Sequence, residues 1–182
     1  MKRIVLTVCP LVILFCCTIA CQDKAAMAEL EKYKAQATLE EQNEALVRTV
    51  FDGLNKHNMT VYQEMYAPEY GLSFPSNNPK AMTREEEAGF VKSAWAGFPD
   101  LHWDIEEMVS SGDRVIVRYV ERGTHKGEYQ GLHPTGNRIE ASGIWMARIS
   151  NGKIAEVRED FDVLGWMQQL GMELKPIAAK KK

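Results

Sequence analysis

Glu159 belongs to a predicted strand whose other residues on the same face are apolar. Between Ile154 and Phe161 the side chains alternate, so that Ala155, Val157, Glu159 and Phe161 share a face. A carboxylate in apolar surroundings is costly to keep ionised, which raises its pKa toward neutrality. Such a group can take a proton from carbon next to a carbonyl or give one to an oxygen. The pattern makes Glu159 a candidate for general acid/base chemistry.

A second interpretation of Glu159 stays open at the level of the sequence. If the strand twists or ends near residue 158, Glu159 lies in solvent or forms an ion pair with Arg158 or Arg148. Asp162 follows closely and suggests a two-carboxylate site. Its position just before a predicted helix, with Gly171 after that helix, favours an N-cap instead.

His125 is the second candidate for chemistry. It has the strand parity of Tyr119, and a neutral imidazole there could orient a substrate oxygen or relay a proton to Glu159. The alternative is a turn histidine bonded to the backbone. His57, His102 and His133 are dispersed and lack metal-ligand spacing, so we expect no metal site.

The elements that would position these residues are four strands and a closing helix in the second half of the chain. They are Leu101–Val109, Arg114–Arg122, Ile139–Ile149, Ile154–Phe161 and the helix Val163–Leu170. Alternation predicts one apolar face that carries four aromatic side chains, with Glu159 as the charge near its middle. The aromatic residues are Trp103, Tyr119, Trp145 and Phe161. The small residues Ala141, Gly143 and Ala147 around Trp145 predict open space there.

The first half of the chain is predicted to be mostly helical. Capping-box spacing at Thr38–Glu41 predicts a helix that starts there and ends near His57. A short helix at Thr60–Tyr66, a strand at Tyr70–Phe74 and a second capping box at Thr83–Glu86 follow. Helices first and strands afterwards predict an α+β domain with its helices on one sheet face.

The first residues have the pattern of an export signal. Met1-Lys2-Arg3 is basic, residues 4–19 are almost wholly apolar, and Thr18-Ile19-Ala20-Cys21 resembles a bacterial lipobox. We therefore expect a lipoprotein signal peptide at 1–20, lipidation of Cys21, a polar tether at 21–37, a domain at 38–172 and a basic disordered tail at 173–182. The expected location is the cell envelope, on the outer membrane rather than the inner, with the domain in the periplasm or outside the cell.

Composition limits the classes of function. All four cysteines, Cys9, Cys16, Cys17 and Cys21, precede the predicted domain, which excludes disulfides and thiolate catalysis within it. The chain has 22 basic and 25 acidic residues, a net charge of -3. Without a basic stripe, this balance argues against nucleic-acid binding.

Several motifs together resemble those of the SnoaL-like polyketide cyclase family, also called ester cyclases. They are Gly123-x-His125-x-Gly127-x3-Gly131-x2-Pro134-Thr135-Gly136, Asn151-Gly152-Lys153-Ile154 and Leu164-Gly165-x4-Leu170-Gly171. The resemblance implies a nuclear-transport-factor-2-like cone, a curved antiparallel sheet with N-terminal helices over its concave face and a deep apolar pocket between them. It also implies a homodimer, because relatives of this fold commonly pair through their sheets.

The same resemblance implies where catalysis would occur. The family's cyclases use an aspartate on the last strand as general acid/base for an aldol closure, and Glu159 falls at that position, longer by one methylene. A pocket histidine of those cyclases falls at Trp145, whose indole cannot exchange a proton as imidazole does. This departure argues against the same aromatic polyketide substrate.

Two functions follow as hypotheses. In the first, the protein binds a small apolar carbonyl compound and catalyses cyclisation, isomerisation or dehydration without a cofactor, with Glu159 and His125 as catalytic residues. In the second, it is a non-catalytic envelope lipoprotein that binds a hydrophobic ligand or a protein partner. A buried Glu159 with a raised pKa and a polar neighbour would favour the first.

Overall fold

The computed structural model describes residues 10–173 and 175, with side chains from residue 24 onward. The chain divides into two compact units, Met1–Leu39 and Glu40–Lys182. The structure describes no side chains in the predicted cleavage region, none at Cys21 and few in the predicted tail. Within the described part of the chain, no helix is long and apolar enough to cross a membrane.

The first helix, α1, extends over Pro10–Asn55, and the predicted helix start at Thr38 is wrong. The hydroxyl of Thr38 donates to the carbonyl of Lys34 at 3.0 Å, the bond of a helix interior and not of an N-cap. The preceding segment is rich in Ala and Lys, which favour helix, and contains no Gly or Pro after residue 24, so nothing ends the helix before Thr38. Side chains from Lys24 to Leu39 are exposed.

The second unit contains the rest of α1 and all later elements. These are α2 Thr60–Glu64, β1 Tyr66–Ser73, α3 Arg84–Gly97, β2 His102–Ser111, β3 Arg114–Thr124, β4 Arg138–Ser150, β5 Lys153–Phe161 and α4 Val163–Gln169. The predicted capping box that opens α3 is confirmed. Thr83 accepts from the backbone N–H of Glu86, whose carboxylate accepts from the N–H of Thr83.

The five strands form one sheet in the order β1-β5-β4-β3-β2. The four later strands form an antiparallel meander, as predicted. The first strand is longer than predicted and pairs parallel with β5, so the sheet is mixed and not wholly antiparallel. A parallel neighbour has to come from a distant part of the chain, and its partner cannot be identified from a local pattern.

The core lies on the face of the sheet that the alternation of apolar residues predicted. On β3 and β4 alternate residues are buried against the helices, among them Val115, Val117, Ala141 and Ala147. Val47, Val50 and Phe51 of α1 are buried in the same core. The side-chain amide of Asn55 donates to the carbonyl of Trp103 at 2.9 Å and its oxygen accepts from the Trp103 N–H at 2.8 Å, which fixes the end of α1 to β2.

Candidate functional site

A cavity of about 170 Å³ lies between the sheet and the helices of the second unit. Eleven aromatic side chains line it: Phe51, Tyr66, Phe74, Phe90, Phe98, Trp103, Tyr119, Tyr129, Trp145, Phe161 and Trp166. Three carboxyl groups share the lining, those of Glu87, Glu121 and Glu159, and none of the described lining residues is basic. For comparison, an apolar cavity of about 150 Å³ holds benzene. The cavity therefore suits a compound with about one ring.

Glu159 faces this cavity and hydrogen-bonds to Tyr119. The Tyr119 hydroxyl donates to Oε1 of Glu159 at 2.5 Å. Burial raises the pKa of Glu159 to about 7, and the Tyr119 hydroxyl opposes that rise because it stabilises the carboxylate. The same carboxylate, together with burial, raises the pKa of Tyr119, so the hydroxyl stays protonated as a donor.

The two arginines that could have formed ion pairs with Glu159 pair with another residue instead. Arg148 and Arg158 both contact Glu156, at 3.2 and 3.0 Å, on the opposite face of β5. Strand alternation explains this, because Glu156 and Glu159 differ by an odd number of positions.

Gly143 allows Tyr119 and Glu159 to meet. Tyr119 on β3 pairs with Gly143 on β4, and Gly143 pairs with Phe161 on β5. A Cβ on Gly143 would lie 2.5 Å from the Tyr119 hydroxyl oxygen and 2.8 Å from the Cβ of Phe161. The predicted open space above this position is therefore filled by the Tyr119 ring.

Glu121 is a second carboxyl in the cavity, and the prediction that Glu159 is the charge of this face was incomplete. Trp103 donates from its indole Nε1 to Oε2 of Glu121 at 2.9 Å. Burial and the Glu159 charge raise the pKa of Glu121 to about 7. The indole of Trp103 opposes this rise, as does the nearby indole of Trp166, which does not reach hydrogen-bond geometry. Glu121 has the strand parity of Tyr119, so alternation alone could have placed it on this face.

Glu87 of α3 is the third carboxyl and is 6% exposed. The Tyr62 hydroxyl donates to its Oε1 at 3.1 Å, whereas its Oε2 has no hydrogen-bond partner. Burial raises the pKa of Glu87 to about 8. The nearby Tyr70 hydroxyl lowers it without reaching hydrogen-bond geometry, and the Glu159 charge adds to the rise. Glu87 lies four residues before the buried Val91, which is a helix-periodicity signal that could have identified it.

His125 does not reach the cavity lining and is fully buried. Its ring stacks on Phe98 at 5.0 Å, and its Nδ1 accepts from the backbone N–H of Thr135 at 3.3 Å. Its Nε2 is buried without a hydrogen-bond partner. The structure does not bring His125 into contact with Glu159, which favours the turn-histidine alternative over a direct catalytic role.

The remaining predicted site residues lie as follows. Trp103, Tyr119, Trp145 and Phe161 line the cavity with Glu159. Asp162 is the N-cap of α4, where its Oδ1 accepts from the Gly165 N–H at 2.8 Å, so the N-cap interpretation is confirmed. Among residues described with side chains, no group of three or more His, Cys, Asp or Glu is placed to hold a metal ion.

The geometry defines the chemistry that the cavity can support. A carboxyl with a pKa of about 7 can donate or accept a proton near neutral pH, and the Tyr119 hydroxyl can hold an oxygen or stabilise the carboxylate. Aromatic walls lower the local polarity, which strengthens both interactions. The arrangement can support proton transfer on a small ring compound.

Comparisons with known proteins agree with this architecture. The family model described as SnoaL-like polyketide cyclase matches residues 44–170. Aklanonic acid methyl ester cyclase DnrD from Streptomyces peucetius is 28% identical over 130 residues, which cover 69% of this chain and 88% of that protein.

Two solved structures share the fold. IdmH from Streptomyces antibioticus, a candidate polyketide cyclase, has a TM-score of 0.64 at 28% identity, over 72% of this chain and 99% of that chain. AclR from Streptomyces galilaeus, a candidate hydroxylase, has a TM-score of 0.67 at 21% identity, over 72% of this chain and 97% of that chain. The predicted fold class, α+β with the cone of this family, is confirmed. Because the family model covers well over half of the chain, this protein belongs to the SnoaL-like polyketide cyclase family.

Proposed function

We propose that the cavity binds a small, largely apolar carbonyl compound and that Glu159 transfers a proton next to the carbonyl. In the base direction, the carboxylate takes the proton from the α-carbon, and the electron pair moves to the carbonyl oxygen as an enolate. Tyr119 assists by hydrogen bonding. Return of the proton to another atom gives isomerisation. In cyclisation the enolate carbon attacks a second carbonyl, and the alkoxide that forms takes the proton back from Glu159.

The observation that carries this proposal is the Glu159–Tyr119 pair inside an aromatic cavity. A general acid/base acts best when its pKa is near the working pH, and burial raises the pKa of Glu159 to about 7. A solvated glutamate, with a pKa of about 4.3, would be a weaker base by about three pKa units. The resemblance to DnrD supports carbonyl chemistry in kind.

The substrate of this protein need not be that of DnrD. Trp145 lines the cavity where the resemblance implies a histidine, and the free volume is about 170 Å³. A bulky indole in place of an imidazole reduces the room and removes a polar contact. Single-ring ketones and diketones fit these limits better than a multi-ring polyketide does.

Exchange of α-protons with deuterium tests the proposal without knowledge of the natural substrate. The full chain would be incubated in D₂O with cyclohexanone, indanone or acetylacetone, and loss of the α-proton signal followed by NMR. We expect wild-type protein to accelerate exchange, and Glu159→Gln to lose about 100-fold or more of that rate. Binding of the ketone to Glu159→Gln, measured by calorimetry, controls for an intact cavity.

The non-catalytic hypothesis predicts a different result from the same experiment. A ketone that binds to wild-type protein without faster exchange would favour a ligand-binding lipoprotein. The predominantly aromatic lining and the absence of His125 from it are the observations that favour this second candidate.

We also propose that the chain is exported, cleaved before Cys21 and lipidated there, with the domain held at the cell envelope. The support is the basic start, the apolar run and the lipobox-like Thr18-Ile19-Ala20-Cys21. Radiolabelled palmitate should enter the wild-type protein and not Cys21→Ala. Fractionation of the labelled protein then tests the outer membrane as its location.

The expected homodimer remains a proposal. Val109, Ile116 and Ile144 are exposed large apolar side chains on three adjacent strands of the sheet. Such residues are candidate contacts for a second copy. Light scattering on wild-type protein and Ile116→Glu would test this, with a monomeric variant and a dimeric wild type as the expected result.

A further inference from the structure

The three carboxyl groups of the cavity differ in how their oxygens are used. Oε1 of Glu159 accepts a hydrogen bond from the Tyr119 hydroxyl, and Oε2 of Glu121 accepts one from the Trp103 indole. Oε1 of Glu87 accepts a hydrogen bond from the Tyr62 hydroxyl, but its Oε2 is buried and has no hydrogen-bond partner. An unpaired buried acceptor costs about 1–3 kcal/mol, and a charged one costs more. When Glu87 is ionised, a ligand that satisfies Oε2 has to supply a hydrogen-bond donor, because the neighbouring Tyr70 hydroxyl does not reach hydrogen-bond geometry.

We propose that the ligand of this cavity carries a protonated amine on its small apolar body, and that the ammonium group binds Glu87. The inference concerns binding and holds whether or not Glu159 transfers a proton, so it goes beyond the proposed function. A carbonyl group elsewhere on the same ligand is compatible with it.

The charges of the cavity favour a cation. Its described lining contains three carboxyl groups and no Lys, Arg or His. The charge of Glu159 acts on both Glu87 and Glu121, so the three groups form one electrostatic cluster. An ammonium ion compensates this repulsion, whereas an anionic ligand adds to it.

The aromatic surroundings of Glu87 favour the same ligand. The ring of Tyr66 lies 4.8 Å from the rings of both Tyr62 and Tyr70, and all three residues are buried. Of these rings, Tyr66 lines the cavity beside Glu87. An ammonium ion on this carboxylate forms an ion pair, and the Tyr66 ring in the same lining can add cation–π attraction.

A neutral carbonyl compound can accept a hydrogen bond from Glu87 only while that carboxyl is protonated, below its pKa of about 8. A carbonyl oxygen is an acceptor, so it cannot satisfy an acceptor oxygen on an ionised Glu87. A neutral alcohol can donate one hydrogen bond but brings no compensating charge. Comparison of an amine with its alcohol therefore separates the charge from the hydrogen bond.

Calorimetric titration of the full chain with 2-phenylethylamine, 2-phenylethanol and 3-phenylpropanoate tests the proposal. These probes have similar apolar bodies and carry a cation, a neutral donor and an anion. Near pH 8, we expect the amine to bind at least about 10-fold more tightly than the alcohol, and the anion not to bind. Equal or tighter binding of the alcohol would overturn the proposal, as would no binding of the amine up to about 1 mM.

Glu87→Gln keeps the shape of the side chain and can still accept from Tyr62. We expect it to lose about 10-fold in affinity for the amine and to keep its affinity for the alcohol within about 2-fold. Equal losses for both probes would mean that the cavity has changed shape and that Glu87 does not select the cation. Exposed Glu69→Gln on β1 is the matched control and should change neither affinity.

A measurement on the wild type keeps the proposal testable if Glu87→Gln does not fold. Binding of an ammonium ion drives the protonated fraction of Glu87 to ionise, so protons are released. The heat of amine binding should then differ between phosphate and Tris buffers, whose ionisation enthalpies differ. An identical heat in both buffers would contradict the proposal. No step of this test depends on turnover, so its failure leaves the exchange experiment on Glu159 unaffected.

Discussion

The hydroxyl of Tyr119 donates to Oε1 of Glu159 at 2.5 Å across Gly143, although the two residues stand on strands that are not neighbours in the sheet. The ring of Tyr119 lies over the one residue of β4 that has no side chain to block it. The contact thus depends on three strands at once. It joins a proton donor to the carboxyl that we propose as the acid/base of the cavity.

Removal of this hydroxyl should make Glu159 harder to ionise. The hydrogen bond stabilises the carboxylate, so Tyr119→Phe should raise the pKa of Glu159 by about one unit. Side-chain carboxyl NMR, with Glu159→Gln for assignment, measures the midpoint. Tyr129→Phe is the control, since Tyr129 also lines the cavity but its hydroxyl contacts Gln130. An unchanged midpoint in Tyr119→Phe would show that the contact does not stabilise the carboxylate.

A methyl group at position 143 should separate the pair. Gly143→Ala places a Cβ against the Tyr119 hydroxyl and the Cβ of Phe161. We expect a loss of about 1–3 kcal/mol in the free energy of unfolding, as for other overpacked sites. Urea denaturation measures it, with the exposed neighbour Ser142→Ala as control. A fully stable Gly143→Ala would indicate that Tyr119 can move at little cost.

Stability should fall as the pH rises from about 5 to about 8. Burial raises the pKa of Glu121 and Glu159 to about 7 and that of Glu87 to about 8. Their folded-state pKa values exceed the value of about 4.3 in the unfolded chain, so the folded state binds more protons in this range. The stabilisation is therefore complete below about pH 4 and is lost as the pH rises through the folded-state values.

Substitution of these carboxyls should flatten that dependence. Glu87→Gln and Glu121→Gln should each raise the free energy of unfolding at about pH 8 by an amount on the order of 1 kcal/mol and change it little at about pH 5. Thermal denaturation across the pH range checks this, with exposed Glu69→Gln as the control. A melting temperature of the wild type that rises between these pH values would contradict the assigned burial.

The two capping-box sequences should respond differently to the same substitution. Thr83 accepts from the N–H of Glu86 at 3.2 Å and begins α3, so Thr83→Ala should cost about 1 kcal/mol. Thr38 lies inside α1, where Ala has the higher helix propensity, so Thr38→Ala should be neutral or slightly stabilising. Urea denaturation of both variants compares them. A cost at Thr38 equal to that at Thr83 would restore the predicted helix start.

Substitution of His125 should change the free energy of unfolding and leave the pKa of Glu159 almost unchanged. Its ring packs on Phe98 and accepts from the Thr135 backbone, so His125→Gln should lower the free energy of unfolding by about 1–3 kcal/mol. The pKa of Glu159 should stay within about 0.3 units, which carboxyl NMR measures. A larger shift would support the predicted proton relay.

The sequence by itself determined the features that depend on local periodicity. Alternation in β3 to β5 predicted Tyr119, Trp145 and Glu159 on one face, because a strand repeats every two residues, but it left open a Glu159 side chain that lies in solvent. Local hydrogen-bond chemistry was likewise sufficient for the caps at Thr83 and Asp162. The same rules could have identified Glu121 and Glu87, whose parity and helix spacing match those of buried neighbours, but neither was predicted as a site residue.

Only the tertiary structure decided which distant residues meet. The parallel pairing of β1 with β5, the contact of Tyr119 with Glu159 over Gly143, and the convergence of Glu87 with the two strand carboxylates join positions far apart in the chain. The continuation of α1 through Thr38 shows the other limit, since a capping-box spacing forms a cap only where the helix ends. Local patterns fix the direction of a side chain relative to its own element, whereas packing between elements fixes what that side chain contacts and how its charge is stabilised.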